Sequence, residues 1–201
     1  MSKNIQLLTE WTPLSYDRDL VLESRDKNNG KIFLKGVLQR AETLNQNGRI
    51  YPRAVLEREL MNYQKFIKES RALGECDHPE SSVVELKNVS HIVREAYMEG
   101  NNVVGTIEVL DTPCGKIVKS LIEAGVTCGI SSRGVGTTQM HEGNQIVQDD
   151  FQLICFDMVS EPSTPGAFML KEGKDIKNDL KEHFNSTDRI DRIFNEILLW
   201  E

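Results

Sequence analysis

The sequence predicts an α+β protein, either a small antiparallel or mixed β-barrel or a bent sheet flanked by helices. Two segments of its 201 residues repeat apolar side chains at helical spacing. Roughly five further runs are rich in β-branched and aromatic residues, and short turns join them as in antiparallel strands. No glycine-rich phosphate-binding loop of standard spacing is present. The length suits one domain of ordinary size with an appendage.

The composition is that of a globular protein with one core, at 39% hydrophobic and 27% charged residues. The formal net charge of −7 and the absence of a basic, aromatic-rich patch argue against nucleic acid as a ligand. No apolar run reaches transmembrane length, and the N-terminal apolar stretch is too short for a secretory signal. The four cysteines and four histidines show no metal-ligand spacing. We therefore expect free thiols, no metal, no cofactor and no membrane contact.

The N-terminal third of the chain is predicted to hold a leader, a strand and a helix. Residues 1–30 are polar, and we expect a leader without an important helix or strand. A first strand is predicted at 31–38, followed by a turn at Asn47-Gly48. The segment 52–69 begins with proline and repeats apolar residues at helical spacing, which predicts the most regular helix of the chain.

A hairpin and a second helix are predicted in the middle of the chain. The short polar segment 74–79 precedes them, and its terminal proline favours an extended conformation at the preceding histidine. Alternating apolar residues predict strands at 89–97 and 102–110, joined by a turn. The next helix has Pro113 just inside its start and Gly125 at its C-terminal end.

A glycine-flanked pair of serines, at 129–136, follows a short buried strand predicted at 126–128. Glycine permits positive φ and close approach of other groups, so this segment leaves room for a substrate carbonyl beside a hydroxyl. One long strand is predicted at 145–159. We divide the chain into the leader, a core at 31–170 and a charged helical tail at 171–201.

The serine pair suggests nucleophilic catalysis, which requires a base. A serine hydroxyl becomes an effective nucleophile only when a neighbouring group removes its proton, and that group is usually histidine. His78 lies in a turn-like segment before Pro79, whereas His91 lies inside a predicted strand. We therefore favour His78 as the base. Spacing does not separate Ser131 from Ser132 as the nucleophile.

The third group of a triad holds the histidine in position. Asp157 is a carboxylate inside an apolar strand, and a buried charge must be paired or hydrogen-bonded. Glu161, just beyond the strand, is the second choice. Each feature also has an ordinary structural interpretation: a surface turn at 129–136, a hydrogen-bonded turn residue at His78, and an Asp–Arg pair or an outward-facing position at Asp157.

Four motifs in register favour the catalytic interpretation. They are Ala41-Glu42-Thr43-Leu44-Asn45-Gln46-Asn47-Gly48-Arg49-Ile50-Tyr51-Pro52, Gly74-Glu75-Cys76-Asp77-His78-Pro79, Gly129-Ile130-Ser131-Ser132-Arg133-Gly134-Val135-Gly136 and Phe156-Asp157-Met158-Val159-Ser160-Glu161-Pro162-Ser163. Together they resemble the prohead core proteases of tailed bacteriophages of the T-even type, from about residue 36 to residue 168. The resemblance implies a capsid-maturation serine endopeptidase whose fold is related to the herpesvirus capsid protease.

The resemblance also implies roles for individual residues. Ser131 is the expected nucleophile, with Ser132 as the minority choice, and His78 is the general base. Asp157 is the expected third member. Herpesvirus relatives use a second histidine at that place, which keeps His91 as an alternative. Backbone N–H groups at Arg133 and Gly134 are the expected oxyanion donors.

The same resemblance implies cleavage after Glu in a Leu/Ile-x-Glu sequence, within scaffold, core and capsid proteins inside the procapsid of an infected host cell. Matching triplets in this chain make Glu172, Glu182 and Glu10 candidates for self-cleavage, with the link near Glu172 favoured. A homo-oligomer is compatible with the sequence. The alternatives are a catalytically inactive structural component of the prohead core and a general housekeeping peptidase.

Overall fold

The computed structural model describes residues 5–13, 25, 29–77, 79 and 81–160, with the backbone alone at 11–13. The chain divides into two compact units, residues 1–167 and 168–201, and every statement below concerns the first. Several predictions lie outside the described residues: the base His78, the alternative acid Glu161, the cleavage sites Glu172 and Glu182, and the tail helix.

Ten strands and two α-helices are present among the described residues. In chain order they are β1 (Gln6–Pro13), β2 (Ile32–Arg40), β3 (Arg49–Ile50), α1 (Arg53–Lys68), β4 (Leu73–Glu75), β5 (Val89–Glu99), β6 (Asn102–Val109), α2 (Pro113–Glu123), β7 (Gly129–Gly136), β8 (Thr138–His141), β9 (Asn144–Val147) and β10 (Gln152–Val159). A short 3-10 turn, Leu86–Asn88, leads into β5.

The strands form three sheets, in the orders β1-β7-β10, β2-β6-β5-β4 and β3-β9-β8. All strand pairings are antiparallel except that of β3 with β9. The first two sheets adjoin at both edges, where β1 lies beside β2 and β10 beside β4. A parallel bridge between Cys76 and Met158 links the second edge. The predicted α+β class is confirmed as a bent-sheet fold, and the described strands do not close into a barrel.

Helix α1 lies within the predicted segment and packs against β5 and β10. Its apolar stripe is buried because residues three and four apart share one face of a helix. Tyr63 meets Phe156 of β10 edge to face, with ring centroids 5.6 Å apart. Each such buried side chain stabilises the fold by about 1.5–3 kcal/mol. The buried stripe consists of Val55, Leu56, Leu60 and Tyr63.

Helix α2 has the ends that the sequence predicts. The Thr112 side chain caps the helix by accepting a hydrogen bond from the Gly115 N–H at 3.0 Å, and Pro113 follows the cap. Gly125, with φ +82°, terminates it. Val118 and Ile122 bury the apolar face. The cap therefore fixes where the chain turns away from β6 toward β7.

The leader differs from the prediction, because residues 6–13 form strand β1. This strand pairs with β7 over its whole length, from Gln6 opposite Gly136 to Pro13 opposite Gly129. The residues Leu8 and Glu10 are buried on one face. A polar segment of this kind gives little local strand signal, so its conformation depends on a partner more than a hundred residues away in the sequence.

The segment after α2 also differs from the prediction. Residues 126–128 are not a strand, and the glycine-flanked serines form strand β7 themselves. The predicted strand at 145–159 is two strands, β9 and β10, separated by a turn. Asp150 in that turn accepts hydrogen bonds from the backbone N–H and hydroxyl of Thr137, both at 2.9 Å. These side-chain hydrogen bonds hold the turn and interrupt a segment whose sequence is otherwise typical of one strand.

Candidate active site

Strand β7 is the central strand of its sheet, hydrogen-bonded to β1 on one side and β10 on the other. Its glycines make close packing possible. A Cβ at Gly134 would lie 2.4 Å from the ring of Phe151, and one at Gly136 would lie 2.8 Å from the Phe151 Cα. The sequence therefore needs glycine at both positions so that Phe151 can pack on the face of β7 that also carries Ser132.

The two serines lie on opposite faces of β7, because side chains alternate along a strand. Ser131 is paired in register with Asp157 of β10 and shares a face with Arg133. Directly opposed side chains of antiparallel strands have Cβ atoms about 4.5–5.5 Å apart. The structure thus brings together two of the three predicted triad members, Ser131 and Asp157, and both are fully buried.

The Ser131 hydroxyl is hydrogen-bonded to the leader strand. Its Oγ donates to the backbone carbonyl of Glu10 at 2.5 Å. The hydroxyl that the sequence assigns as nucleophile therefore lies beside a peptide carbonyl that belongs to a Leu-x-Glu triplet, Leu8-Thr9-Glu10.

Ser132 has different surroundings. It is opposite Phe156 in the register of β7 and β10, on the face that packs into the core. Its Oγ is buried and has no hydrogen-bond partner among the described residues. Burying a hydroxyl without a hydrogen-bond partner costs free energy, so hydrogen bonding does not explain why a serine occupies this position. The small size of the serine side chain does.

Arg133 is a fully buried cation that binds two carboxylates. Its Nη2 forms an ion pair with Glu75 and lies 3.2 Å from Asp157 Oδ1, while Nε lies 2.8 Å from Asp157 Oδ2. The Nε contact is an ion pair whose angle does not suit a hydrogen bond. The Nη1 group donates to the carbonyl of Ser81 at 2.7 Å. This set of partners compensates the large cost of burying the charge.

The pKa values in this cluster follow from burial and charge. Burial opposes the charge of Arg133, but its neighbours Cys155, Asp157 and Glu75 more than offset burial and raise its pKa. Burial also raises the pKa of the Cys155 thiol, with the adjacent Asp157 carboxylate acting in the same direction. The thiol is therefore protonated, so the attraction that holds the guanidinium comes from the two carboxylates.

His91 of β5 is a buried, neutral side chain that links the sheet β2-β6-β5-β4 to the sheet β1-β7-β10. Its Nε2 lies 3.0 Å from the carbonyl oxygen of Phe156, and its Nδ1 lies 2.8 Å from the Ser90 hydroxyl. A carbonyl only accepts, so Nε2 carries the proton and Nδ1 accepts from Ser90. Burial lowers the pKa of His91 to about 4, although Asp157 and the Phe156 carbonyl oppose that shift. Both ring nitrogens are thus engaged in structural hydrogen bonds.

The described neighbours of His78 are anchored near Asp157. The Asp77 N–H donates to the carbonyl of Met158, the residue after Asp157, at 2.8 Å. On the other side, the carbonyl of Pro79 lies 3.4 Å from Arg133 Nη1. The chain on either side of the predicted base is therefore attached to strand β10 and to the buried arginine.

The predicted oxyanion donors lie in a strand that is paired on both sides. Peptide N–H groups of such a strand point alternately to its two neighbours. Opposite Arg133 and Gly134, however, β10 has a bulge between Leu153 and Cys155, which interrupts the regular ladder. The oxyanion assignment stays a prediction.

The Asp–Arg pair that the sequence offered as the ordinary interpretation of Asp157 is present, with Arg133. Sequence reasoning missed the second carboxylate, that of Glu75, and the surroundings of Glu10. The carboxylate of Glu10 is buried and accepts hydrogen bonds from Asn45, Asn47, Arg49 and Tyr51. Burial raises the pKa of the Glu10 carboxyl, although Arg49, Asn47 and Tyr51 favour its charged form. All four donors belong to the first of the four motifs noted above. That motif was the signal in the sequence that could have indicated these residues.

No group of three or more His, Cys, Asp or Glu side chains among the described residues is arranged to hold a metal ion. None of the helices in the described part of the chain is long and apolar enough to cross a membrane.

Comparison with known proteins defines the class as a peptidase of the bacteriophage prohead. A family model described as prohead core protein serine protease matches residues 11–178. The prohead core protein protease of Enterobacteria phage T4 is 34% identical over 158 residues, which cover 74% of each chain. The chain belongs to the prohead core protein serine protease family, as the four motifs predict. The solved capsid assembly protease of bacteriophage T4 has a TM-score of 0.68 at 27% identity, with 79% of this chain and 99% of that chain covered.

Proposed function

We propose that this chain is a serine endopeptidase of prohead maturation that cuts phage core, scaffold and capsid proteins, and itself, after Glu in a Leu/Ile-x-Glu sequence. It acts inside the procapsid, in the host cytoplasm, without a metal or cofactor. The names of its relatives, a prohead core protein protease and a capsid assembly protease of phage T4, support this setting.

One observation carries the assignment of the nucleophile. Ser131 of β7 and Asp157 of β10 face each other on adjacent strands, and both are buried, while the chain on both sides of His78 is attached to β10 and to Arg133. Ser132 lies on the core face, where no described base is in reach of its hydroxyl. The geometry therefore favours Ser131 over Ser132, and it favours Asp157 over His91 because both ring nitrogens of His91 are engaged.

The reaction follows from these roles. His78 accepts the Ser131 proton as Oγ bonds to the carbonyl carbon of the substrate glutamate, and N–H groups near Arg133 and Gly134 stabilise the oxyanion. The peptide C–N bond then breaks, and His78 gives its proton to the leaving amine. Water hydrolyses the ester by the same steps, which releases a carboxylate and restores the hydroxyl.

Arg133 acts in this scheme as a positioning residue. Its ion pairs with Asp157 and Glu75 fix the orientation of the aspartate behind the proposed base. The carboxylate is held at Oδ1 by further contacts, the Glu75 N–H at 3.1 Å and Cys155 Sγ at 3.2 Å, so its orientation does not depend on the guanidinium alone. Loss of Arg133 weakens catalysis through Asp157, without any contact of its own with substrate.

A serine-directed fluorophosphonate probe tests the nucleophile. We expect the wild-type protein to be labelled, the Ser131→Ala variant to lose labelling and to lose at least about 10⁴-fold in kcat, and the Ser132→Ala variant to keep both. Labelling that disappears only in Ser132→Ala would reverse the assignment. Wild-type protein that neither reacts nor cuts any peptide would point to the inactive structural component.

Self-processing is tested by mass spectrometry of the wild-type chain beside Ser131→Ala. We expect fragments that end on glutamate, first at the link near Glu172 and also at Glu182 or Glu10, and we expect none from Ser131→Ala. The same fragments from both proteins would show that another protease made them. A panel of peptides then separates maturation from general peptidase activity, because the proposal demands glutamate before the cut.

A further inference from the structure

The pocket around Glu10 has the properties of a site built for a glutamate side chain. Each carboxylate oxygen has two donors. Asn45 Nδ2 and Asn47 Nδ2 lie 2.5 and 2.9 Å from Oε2, while Arg49 Nη1 and Tyr51 Oη lie 2.9 and 3.0 Å from Oε1. Charge-assisted hydrogen bonds are the strong ones, and four of them fully satisfy the carboxylate.

The donors are held in place independently of Glu10. Within the turn, the Asn45 side-chain oxygen accepts the Arg49 N–H at 2.9 Å, and the Gly48 carbonyl accepts the Gln145 N–H of β9 at 2.9 Å. The Arg49 and Ile50 positions are paired with β9 as strand β3. The backbone that carries the donors is therefore fixed by its own turn and by β9, and the glutamate is the occupant of the pocket.

Two backbone carbonyls of β1 also accept hydrogen bonds, one from a donor of this pocket and one from the proposed nucleophile. Asn47 Nδ2 also donates to the carbonyl of Thr9 at 2.9 Å, and the next carbonyl, that of Glu10, receives the Ser131 hydroxyl at 2.5 Å. Leu8, two residues earlier, shares the face of Glu10 and is fully buried in the hydrophobic core. Strand β1 thus presents the order apolar residue, any residue, glutamate. The peptide group that follows the glutamate lies beside the hydroxyl of the proposed nucleophile.

A strand added to a sheet is a common mode of peptide recognition, in which the main chain supplies affinity and alternate side chains enter specificity pockets. We infer that β1 occupies the substrate position of this enzyme in cis, and that Asn45, Asn47, Arg49 and Tyr51 form the pocket that selects glutamate before the cut. Substrates in trans bind as the same antiparallel strand along β7 once residues 6–10 vacate it. This inference rests on the proposed function for the identity of the nucleophile.

A binding experiment without catalysis tests the pocket. The full chain carrying Ser131→Ala and Glu10→Ala is titrated into a fluorescein-labelled peptide that copies residues 5–13, and into the same peptide with glutamine in place of its glutamate. We expect the glutamate peptide to bind about 10- to 150-fold more tightly, the ratio for one lost charge-assisted hydrogen bond. Adding Arg49→Gln should remove most of that ratio.

Occupancy by β1 has its own readout. Protein with Ser131→Ala alone should bind the glutamate peptide at least about tenfold more weakly than protein that also carries Glu10→Ala. In the single variant, β1 still carries its glutamate and competes with the peptide for the pocket. The matched control is Glu69→Ala on the Ser131→Ala background, since Glu69 ends the other triplet Ile67-Lys68-Glu69 and is exposed. This control should leave peptide affinity unchanged. Glu10→Gln replaces Glu10→Ala where the alanine variant does not fold.

Equal binding of the two peptides, or no binding to the Glu10→Ala protein, would overturn the inference. A glutamate preference that survives Arg49→Gln would also do so. Wild-type protein that cuts no peptide while these binding ratios hold would overturn the proposed function alone. Wild-type protein that cuts glutamate and glutamine peptides equally well would overturn the pocket and leave the serine chemistry standing.

Discussion

Replacing Arg133 by methionine removes the cation from the middle of the candidate site while keeping much of the side-chain volume. Arg133 has no exposed surface, and its ion pairs with Glu75 and Asp157 join two fully buried carboxylates. Breaking a buried pair by removing one partner costs about 3–5 kcal/mol, because the remaining charges lose their compensation. For a protein of this size that corresponds to a fall of about 6–20 °C in Tm.

The assay is urea unfolding at pH 7 and pH 5, followed by circular dichroism. Arg133→Met should lose less stability at pH 5, because unpaired buried carboxyls have raised pKa values and take up protons. Adding Glu75→Gln should restore part of the loss by removing one of the orphaned charges. The control is Arg53→Met, whose exposed pair with Glu57 at 2.7 Å is worth about 0.5 kcal/mol or less.

A loss below about 1 kcal/mol for Arg133→Met would refute the reasoning, since it would mean that the carboxylates do not depend on the arginine. A loss of equal size at both pH values would refute the electrostatic cause and leave only packing.

Three further predictions concern stability. His91 is neutral in the fold, with a pKa lowered from 6.5 to about 4 by burial; stability is therefore complete above pH 6.5 and falls by about 3 kcal/mol as the pH drops to 4. His91→Gln should flatten that part of the pH curve, and an unchanged slope would assign the loss to other groups. Gly74→Ala should cost at least about 3 kcal/mol, because the new Cβ would lie 2.1 Å from the Phe156 carbonyl oxygen and 2.2 Å from His91 Nε2; thermal melting measures the cost, and a Tm within a degree or two of wild type would contradict the packing. Tyr63→Phe should be neutral or stabilising by up to about 1 kcal/mol, because the buried Tyr63 hydroxyl has no hydrogen-bond partner among the described residues; clear destabilisation in urea unfolding would reveal an overlooked partner.

Features set by near neighbours in the chain could be predicted from the sequence. Helix α1 follows from apolar spacing, and α2 follows from Thr112, Pro113 and Gly125, which act within one helical turn of its ends. The hairpin of β5 and β6 follows from alternation around a short turn. Each depends on interactions over a few residues, which a local pattern records.

Features set by distant partners could not be predicted. The leader forms a strand only because β7 is beside it, and the glycine-flanked serines form a strand only because β1 and β10 flank them. Asp157 was found because a carboxylate in an apolar run is unusual. An Asp–Arg pair was one interpretation of Asp157, but the sequence did not identify Arg133 as the partner, since no local signal says which guanidinium will be buried between two carboxylates.

The parallel pairing of β3 with β9 connects the Asn45–Tyr51 turn to the hairpin formed by β8 and β9, whose tip at Glu142-Gly143 is exposed. We expect mutations that lengthen or reshape this hairpin to move the turn that carries the four donors of the proposed pocket relative to β7, without altering the side chains proposed for the reaction. On the function proposed above, variation in this exposed hairpin is a route by which a phage changes which sequences are cleaved while the side chains proposed for the reaction stay the same.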